Sequence, residues 1–164
     1  MVPDYEPKEE NAEEDLKQAL RYALRLLARR EYCEEEVRSR LLTRDFDKTC
    51  IRQVLNRLIE LDYLSENRFA CAFFRDRMRR GDTPWLAAAK AKGRGVRETE
   101  IQSTLAAIVE EYDAVEACRK LLARRDPQLL HLTDQHQWRK HARYLKNKGF
   151  DTATIVGVMN EGEG

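Results

Sequence analysis

One short pattern occurs three times in this chain, as Thr43-Arg44-Asp45-Phe46, Gly93-Arg94-Gly95-Val96 and Asn147-Lys148-Gly149-Phe150. Each copy holds a basic residue, a turn-forming residue and a large apolar residue, and an isoleucine follows five positions later. The positions matched on the upstream side are Leu41, Ala91 and Leu145. The copies are spaced by 50 and then 54 residues, as expected for repeated helical units. The pattern therefore predicts a row of similar helical modules rather than one closed domain.

Apolar residues between the copies recur at helical spacing and predict nine helices. The capping residues expected at helix starts are Asn11, Asp47, Ser65, Thr83 before Pro84, and Asp113. No segment alternates apolar and polar residues as a strand would. The predicted fold is all-α, with three tandem three-helix-bundle repeats, resembling helix-turn-helix modules, in an elongated and curved molecule.

The predicted boundaries follow the repeat. Residues 1–11 form a disordered acidic tail, 12–62 the first three-helix module, 63–112 the second, 113–160 the third, and 161–164 a frayed end. In the second module, Phe73 and Ile101 are expected to be buried, so that replacing either by alanine would unfold the module.

Charge is abundant but balanced: 36% of the 164 residues are charged, and the formal net charge is only +1. The total hides a polarity along the chain. The start is acidic, whereas residues 75–94 and 139–148 carry most of their charge as arginine and lysine. A global basic field is therefore not expected, but local basic surfaces are.

Those two basic segments supply the candidate binding residues, which would contact phosphates or the carboxylates of a partner. The alternative is a solvated face whose aliphatic stems cover the core. Aromatic residues do not alternate with these charges, which disfavours the reading of single-stranded sequence by base stacking. The candidates are Arg75, Arg77, Arg79, Arg80, Lys90, Lys92, Arg94, Arg139, Lys140, Arg143, Lys146 and Lys148.

Catalytic and metal-site patterns are not found in the sequence. His131, His136 and His141 follow each other at five-residue steps, which on one helix would point neighbours about 140° apart, unlike the i, i+4 pair of a zinc helix. Gly93-Arg94-Gly95 is only a fragment of a phosphate loop, without a preceding strand. The carboxylates lie mostly in solvated runs. We therefore expect no enzyme, no metal and no cofactor.

The four cysteines have wide, irregular gaps, typical of small buried side chains in a reducing compartment. No apolar run approaches the roughly 20 residues that a membrane span needs, and the acidic start is unlike a secretory signal. We expect a cytoplasmic protein with no membrane partner.

Four segments, in order, resemble the bacterial RecX family. Leu61-Asp62-Tyr63-Leu64-Ser65-Glu66-Asn67-Arg68-Phe69-Ala70 is similar to that family's YLxDxRFA segment, and Arg79-Arg80-Gly81-Asp82-Thr83-Pro84 to the entry of its middle module. Residues 29–41 resemble its first-module stretch, and residues 144–150 its closing motif. Asp62 stands where the family usually has glycine, Cys33 where serine usually caps the short helix, and Ala87 and Ala89 where polar residues are expected.

The resemblance implies a regulator of the RecA recombinase. Such a protein would bind RecA, lie along the filament on single-stranded DNA, and suppress ATP hydrolysis, strand exchange and coprotease activity, which restrains recombinational DNA repair and the SOS response. DNA would be a secondary, weak ligand, and a small-molecule substrate is not implied. Two other readings stay open at this point: an autonomous helix-turn-helix-type DNA-binding protein without a RecA partner, and a solenoid scaffold for an unrelated peptide.

Overall fold

The computed structural model describes residues 8–161 of the chain. Within that range lie nine α-helices and no β-strand, which confirms the all-α prediction. The helices are α1 (Lys8–Leu27), α2 (Glu34–Leu42), α3 (Lys48–Glu60), α4 (Glu66–Arg79), α5 (Pro84–Gly93), α6 (Glu98–Val109), α7 (Ala114–Arg125), α8 (Gln135–Asn147) and α9 (Thr152–Met159). A 3₁₀ turn, Leu130–Leu132, precedes α8.

The described chain forms two compact units. The first holds the chain up to residue 72 together with 91–101, and the second holds 73–90 together with the chain from 102 onward. Helices α4, α5 and α6 each contribute residues to both units. The three-module boundaries drawn from the sequence stay a prediction.

The predicted helix caps are made by the expected side chains at four of five positions. Asp47 accepts hydrogen bonds from the backbone N–H groups of Thr49 and Cys50, and Ser65 accepts one from Arg68. Thr83 and Asp113 cap α5 and α7 in the same way. The cap predicted at Asn11 is wrong, because α1 already begins at Lys8 and Asn11 lies inside it. Residues 1–7 of the predicted tail and 162–164 of the predicted frayed end lie outside the described residues.

The threefold sequence pattern is a helix stop. Its copies end α2, α5 and α8, and its third residue has a positive φ each time: 63° at Asp45, 85° at Gly95 and 94° at Gly149. The backbone N–H of the following apolar residue then donates to the carbonyl five residues back, Leu41, Ala91 or Leu145. This 6→1 bond with a left-handed residue is the Schellman cap. Glycine, asparagine or aspartate is favoured at this position because other residues adopt a positive φ only at a steric cost.

Each unit has its own apolar core. In the first unit, α1, α2 and α3 bury Ala19, Ala23, Val37, Leu41, Ile51, Val54, Leu55 and Leu58. In the second, α7, α8 and α9 bury Cys118, Leu121, Leu122, Leu145, Phe150, Ile155, Val158 and Met159. The burial predicted for Phe73 is wrong: its neighbour Phe74 is fully buried, whereas Phe73 is only partly covered. Ile101 is buried, as expected.

The cysteines are all free thiols, and Cys33, Cys50 and Cys118 are buried, as predicted for small core side chains. Burial raises the pKa of Cys33 and of Cys118 to about 11, so both thiols stay protonated at neutral pH. Among residues 8–161, no helix is long and apolar enough to cross a membrane.

Candidate functional site

Three of the predicted binding residues meet at one buried carboxylate in the second unit. Asp82, whose side chain is 0% exposed, binds Lys90 Nζ at 2.7 Å and Arg77 Nε at 2.7 Å through Oδ2. Its Oδ1 lies 3.2 Å from Lys148 Nζ. Burial by itself would raise the pKa of Asp82, but the hydrogen bonds from Lys90, Arg77 and Lys148 outweigh it and keep that pKa below the usual range. These three cations therefore neutralise a carboxylate inside the fold.

The Asp82 cluster also joins segments that are distant in sequence. Lys148 Nζ donates to the carbonyl of Arg80 at 2.8 Å, and the N–H of Thr83 donates to the carbonyl of Lys148 at 2.9 Å. Gly149 lies against Thr83, and a side chain at Gly149 would come within 2.9 Å of Leu86 Cβ. The glycine of the third repeat copy is thus needed for its φ and for this close approach.

A second group of cations surrounds a groove of about 460 Å³ in the second unit, which we call the basic groove. Arg79 ends α4 and Arg80 follows it, Arg124 and Arg125 lie in the last turn of α7, and Leu121 and Tyr144 complete the lining. The guanidinium carbon of Arg125 lies 3.9 Å from the centroid of the Tyr144 ring. Such stacking holds the guanidinium in place and leaves its N–H edge available to an anion.

Charge in the basic groove is only partly compensated. Arg79 and Arg80 each contact the carboxylate of Asp76, at 2.8 and 3.0 Å. Arg124 and Arg125 make no ion pair within residues 8–161, and the groove lining contains no acidic residue. The groove therefore presents hydrogen-bond donors and positive charge, the chemistry that binds phosphate or clustered carboxylate groups.

The remaining predicted residues lie elsewhere. Arg75, Arg139, Lys140, Arg143 and Lys146 are exposed in the second unit, and Lys146 Nζ is 3.3 Å from the hydroxyl of Thr152. Lys92 and Arg94 belong to the first unit, where Lys92 pairs with Glu98 at 3.4 Å and Arg94 with Glu36 at 2.8 Å. The basic segment 75–94 is thus divided between the two units.

Sequence reasoning missed Arg124 and Arg125. The signal was a basic pair in the last turn of α7, but lysine and arginine are common there because they complement the helix dipole. Only the folded chain shows that this pair faces Arg79 and Arg80. Tyr144 was also missed as an aromatic partner, because 19 residues separate it from Arg125.

Two of the three histidines are buried beside Asp126, the C-cap of α7. His131 Nδ1 lies 2.6 Å from Asp126 Oδ2, and His141 Nε2 lies 3.8 Å from the same oxygen. His131 lies in the 3₁₀ turn and His141 in α8. Their relative positions therefore do not follow from a spacing along one helix. Among the described residues, no group of three or more histidine, cysteine or acidic side chains is arranged to hold a metal ion.

This histidine cluster predicts a loss of stability in mild acid. Burial is the main influence on His141 and lowers its pKa below the ordinary value, despite the nearby Asp126. In the unfolded chain His141 takes up a proton near pH 6.5, whereas in the folded chain it does so only at lower pH. The free energy of unfolding should therefore fall as pH drops from 7 to 5. Thermal melting across that range should show a weaker pH dependence in His141→Gln than in the native chain.

The matched control is His136→Gln, since His136 is exposed on the same helix. That variant should keep the full pH dependence. A native pH dependence in His141→Gln would contradict the assignment to His141.

Comparison with known proteins agrees with this architecture. Residues 19–58 match the model of the RecX first three-helix domain, and residues 111–159 that of the RecX third three-helix domain. A Regulatory protein RecX from Halorhodospira halophila is 34% identical over 77% of this chain and 76% of its own length. Another from Chromohalobacter salexigens is 33% identical over 82% of this chain and 86% of its length.

A solved structure, RecX from Lactobacillus salivarius, superposes with a TM-score of 0.73. It is 21% identical and covers 92% of this chain and 97% of its own. At 21% identity, this structural similarity is evidence for the fold alone. Together with the two domain models, it confirms the predicted fold class of three-helix repeats.

Proposed function

The chain belongs to the RecX family of regulatory proteins, and we propose from that premise that it binds the RecA filament on single-stranded DNA. Bound there, it lowers ATP hydrolysis, strand exchange and coprotease activity, and so restrains recombinational repair and the SOS response in the cytoplasm. RecA is the main partner and single-stranded DNA a weaker one. The action is regulatory rather than catalytic.

The basic groove is the observation that carries this proposal. Four guanidinium groups converge there without an acidic residue in the lining, and Arg124 and Arg125 make no ion pair within the described residues. A filament offers both kinds of anion that such a groove would bind, carboxylates on protein and phosphates on DNA. Because one chain carries several repeats and one filament repeats the same surface, contacts that are weak singly add together when one molecule makes more than one of them.

The direct test is ATP hydrolysis by RecA on single-stranded DNA while this protein is added, beside its binding to the same DNA without RecA. We expect inhibition well below the concentration that saturates bare DNA. Inhibition only at saturation of bare DNA would instead support competition by an autonomous DNA-binding protein. In that case log affinity would fall linearly with log salt.

A groove variant makes the test specific. Arg79→Ala with Arg124→Ala should raise the concentration needed for half-inhibition about ten-fold or more, because a hydrogen bond to a charged group contributes about 1.5–3 kcal/mol. Both side chains are exposed, so the melting temperature should change little.

The matched control is Lys48→Ala with Arg52→Ala, which removes two exposed charges from α3. These lysine and arginine side chains make no ion pair within residues 8–161. The control variant should inhibit as the native protein does. Equal inhibition by the groove variant would exclude the basic groove as the contact.

A further inference from the structure

A different groove lies in the first unit, with a volume of about 750 Å³. We call it the Tyr22 groove. Tyr22 of α1 lies on one side, and α2 and the turn after it supply most of the remaining lining. The lining residues are Tyr22, Glu35, Glu36, Ser39, Arg40, Thr43, Arg44 and Arg94. Its volume is in the range of pockets that hold small organic ligands.

A cation and an aromatic ring form a flat platform in this groove. The guanidinium carbon of Arg44 lies 4.0 Å from the centroid of the Tyr22 ring. Arg44 is exposed, and neither it nor Arg40 makes an ion pair within the described residues. The Arg44 guanidinium therefore lies over the Tyr22 ring and is exposed, a position in which arginine also stacks on planar ligands.

The charge of this groove is mixed, unlike that of the basic groove. Glu36 is 15% exposed and is held by Arg30 at 3.0 Å and Arg94 at 2.8 Å. Glu35 accepts a hydrogen bond from the Ser39 hydroxyl at 3.3 Å and lies 3.4 Å from the Arg38 guanidinium. The carboxylates are thus neutralised in place, and the walls offer both donors and acceptors.

A planar ligand with its own donors and acceptors, next to a negative charge, matches these features. A nucleobase has that plane and those groups, and unpaired bases stack on arginine planes as well as on aromatic rings. The phosphate attached to it would meet the unpaired Arg40. An acidic peptide would use the charges of Arg40 and Arg44 but would leave the guanidinium and ring of Arg44 and Tyr22 without a stacked partner.

We propose that the Tyr22 groove holds an unpaired base of single-stranded DNA, stacked on the outer face of Arg44 with its phosphate near Arg40. The proposal deepens the proposed function, on which it rests for the choice of DNA as ligand. It assigns base contact to the first unit, where carboxylates and cations both line the groove, whereas the lining of the basic groove in the second unit holds no acidic residue.

The experiment compares two fluorescently labelled oligonucleotides of equal length and phosphate number, one of thymidines and one of abasic sites. The native protein should bind the thymidine strand at least about five-fold more tightly, since stacking contributes about that factor or more for each base. Arg44→Lys keeps the charge but removes the plane, and it should bind both strands equally. Arg52→Lys, at an exposed position of α3, should keep the native preference.

The double variant of the basic groove should weaken binding to both strands by the same factor and leave the preference unchanged. Equal binding of the two strands by the native protein, or a retained preference in Arg44→Lys, would overturn the assignment. Binding of neither strand would overturn it as well.

Inhibition of RecA, measured on the same preparations, separates the two proposals. A native protein that inhibits RecA without preferring the thymidine strand would refute the Tyr22 groove and support the regulatory role. A native protein that prefers the thymidine strand without inhibiting RecA would support the groove and refute the regulatory role.

Discussion

Replacing Asp82 by alanine should lower the free energy of unfolding of the second unit by about 3 kcal/mol. Three cations, Arg77, Lys90 and Lys148, would lose their shared carboxylate. Removing one partner from a buried ionic cluster typically costs about 3–5 kcal/mol, and we expect the lower end because these cations keep some contact with water. Denaturant unfolding followed by the fluorescence of Trp85 and Trp138, both in the second unit, would measure the loss.

The control for Asp82→Ala is Asp76→Ala. Asp76 also binds two arginines, but its side chain is partly exposed and its partners are largely so. Asp76→Ala should lower the free energy of unfolding much less than Asp82→Ala, as is usual for surface pairs. Equal losses in the two variants would contradict the role given to burial at Asp82.

Arg77 is unsuitable for testing partner binding by charge reversal, because its guanidinium binds the buried carboxylate of Asp82. Arg77→Glu would place a second carboxylate beside Asp82, so weaker partner binding in that variant would partly report unfolding. Arg79 and Arg124 are therefore the better probes of binding. Since the pKa of Asp82 is held low in the fold, its stabilising contribution should be full above about pH 4 and be lost at more acid pH.

Replacing Phe74 by alanine should lower the free energy of unfolding by about 3–5 kcal/mol. The Phe74 side chain is completely buried, and truncation removes apolar contact and leaves a cavity. Phe74 belongs to the second unit, so the same tryptophan fluorescence would report its unfolding.

Phe73→Ala is the matched control, since it changes the neighbouring residue of the same type. Because Phe73 is only partly buried, Phe73→Ala should lower the free energy of unfolding clearly less than Phe74→Ala does. The opposite order would restore the prediction made from the sequence, which placed Phe73 rather than Phe74 in the core.

This error of one residue has a physical reason. Two adjacent phenylalanines on a helix point about 100° apart, and the apolar stripe of α4 is wide enough to admit either. Which of them becomes fully buried depends on the helices packed against α4, and these are not encoded in the local spacing. The helix itself was predicted correctly, together with its cap at Ser65.

The basic residues, too, could be located from the sequence, but their contacts could not. Runs of arginine and lysine were visible in the sequence, but their roles were not. Arg77, Lys90 and Lys148 belong to one segment or the other of the predicted surface, yet they bind a buried aspartate that no charge count singles out. Arg124 and Arg125, outside both segments, complete the basic groove.

The sequence by itself determined the helices, four of the five predicted caps and the three stops at Asp45, Gly95 and Gly149, because each depends on residues within one or two turns of the chain. Such local signals survive in any tertiary context, which is why the repeat was readable. The tertiary structure alone decided the neighbours of each charge and each ring. Ion pairs and stacking act over a few ångströms in space, so contacts such as Lys148 with Asp82, or Arg125 with Tyr144, exist only after distant helices have packed.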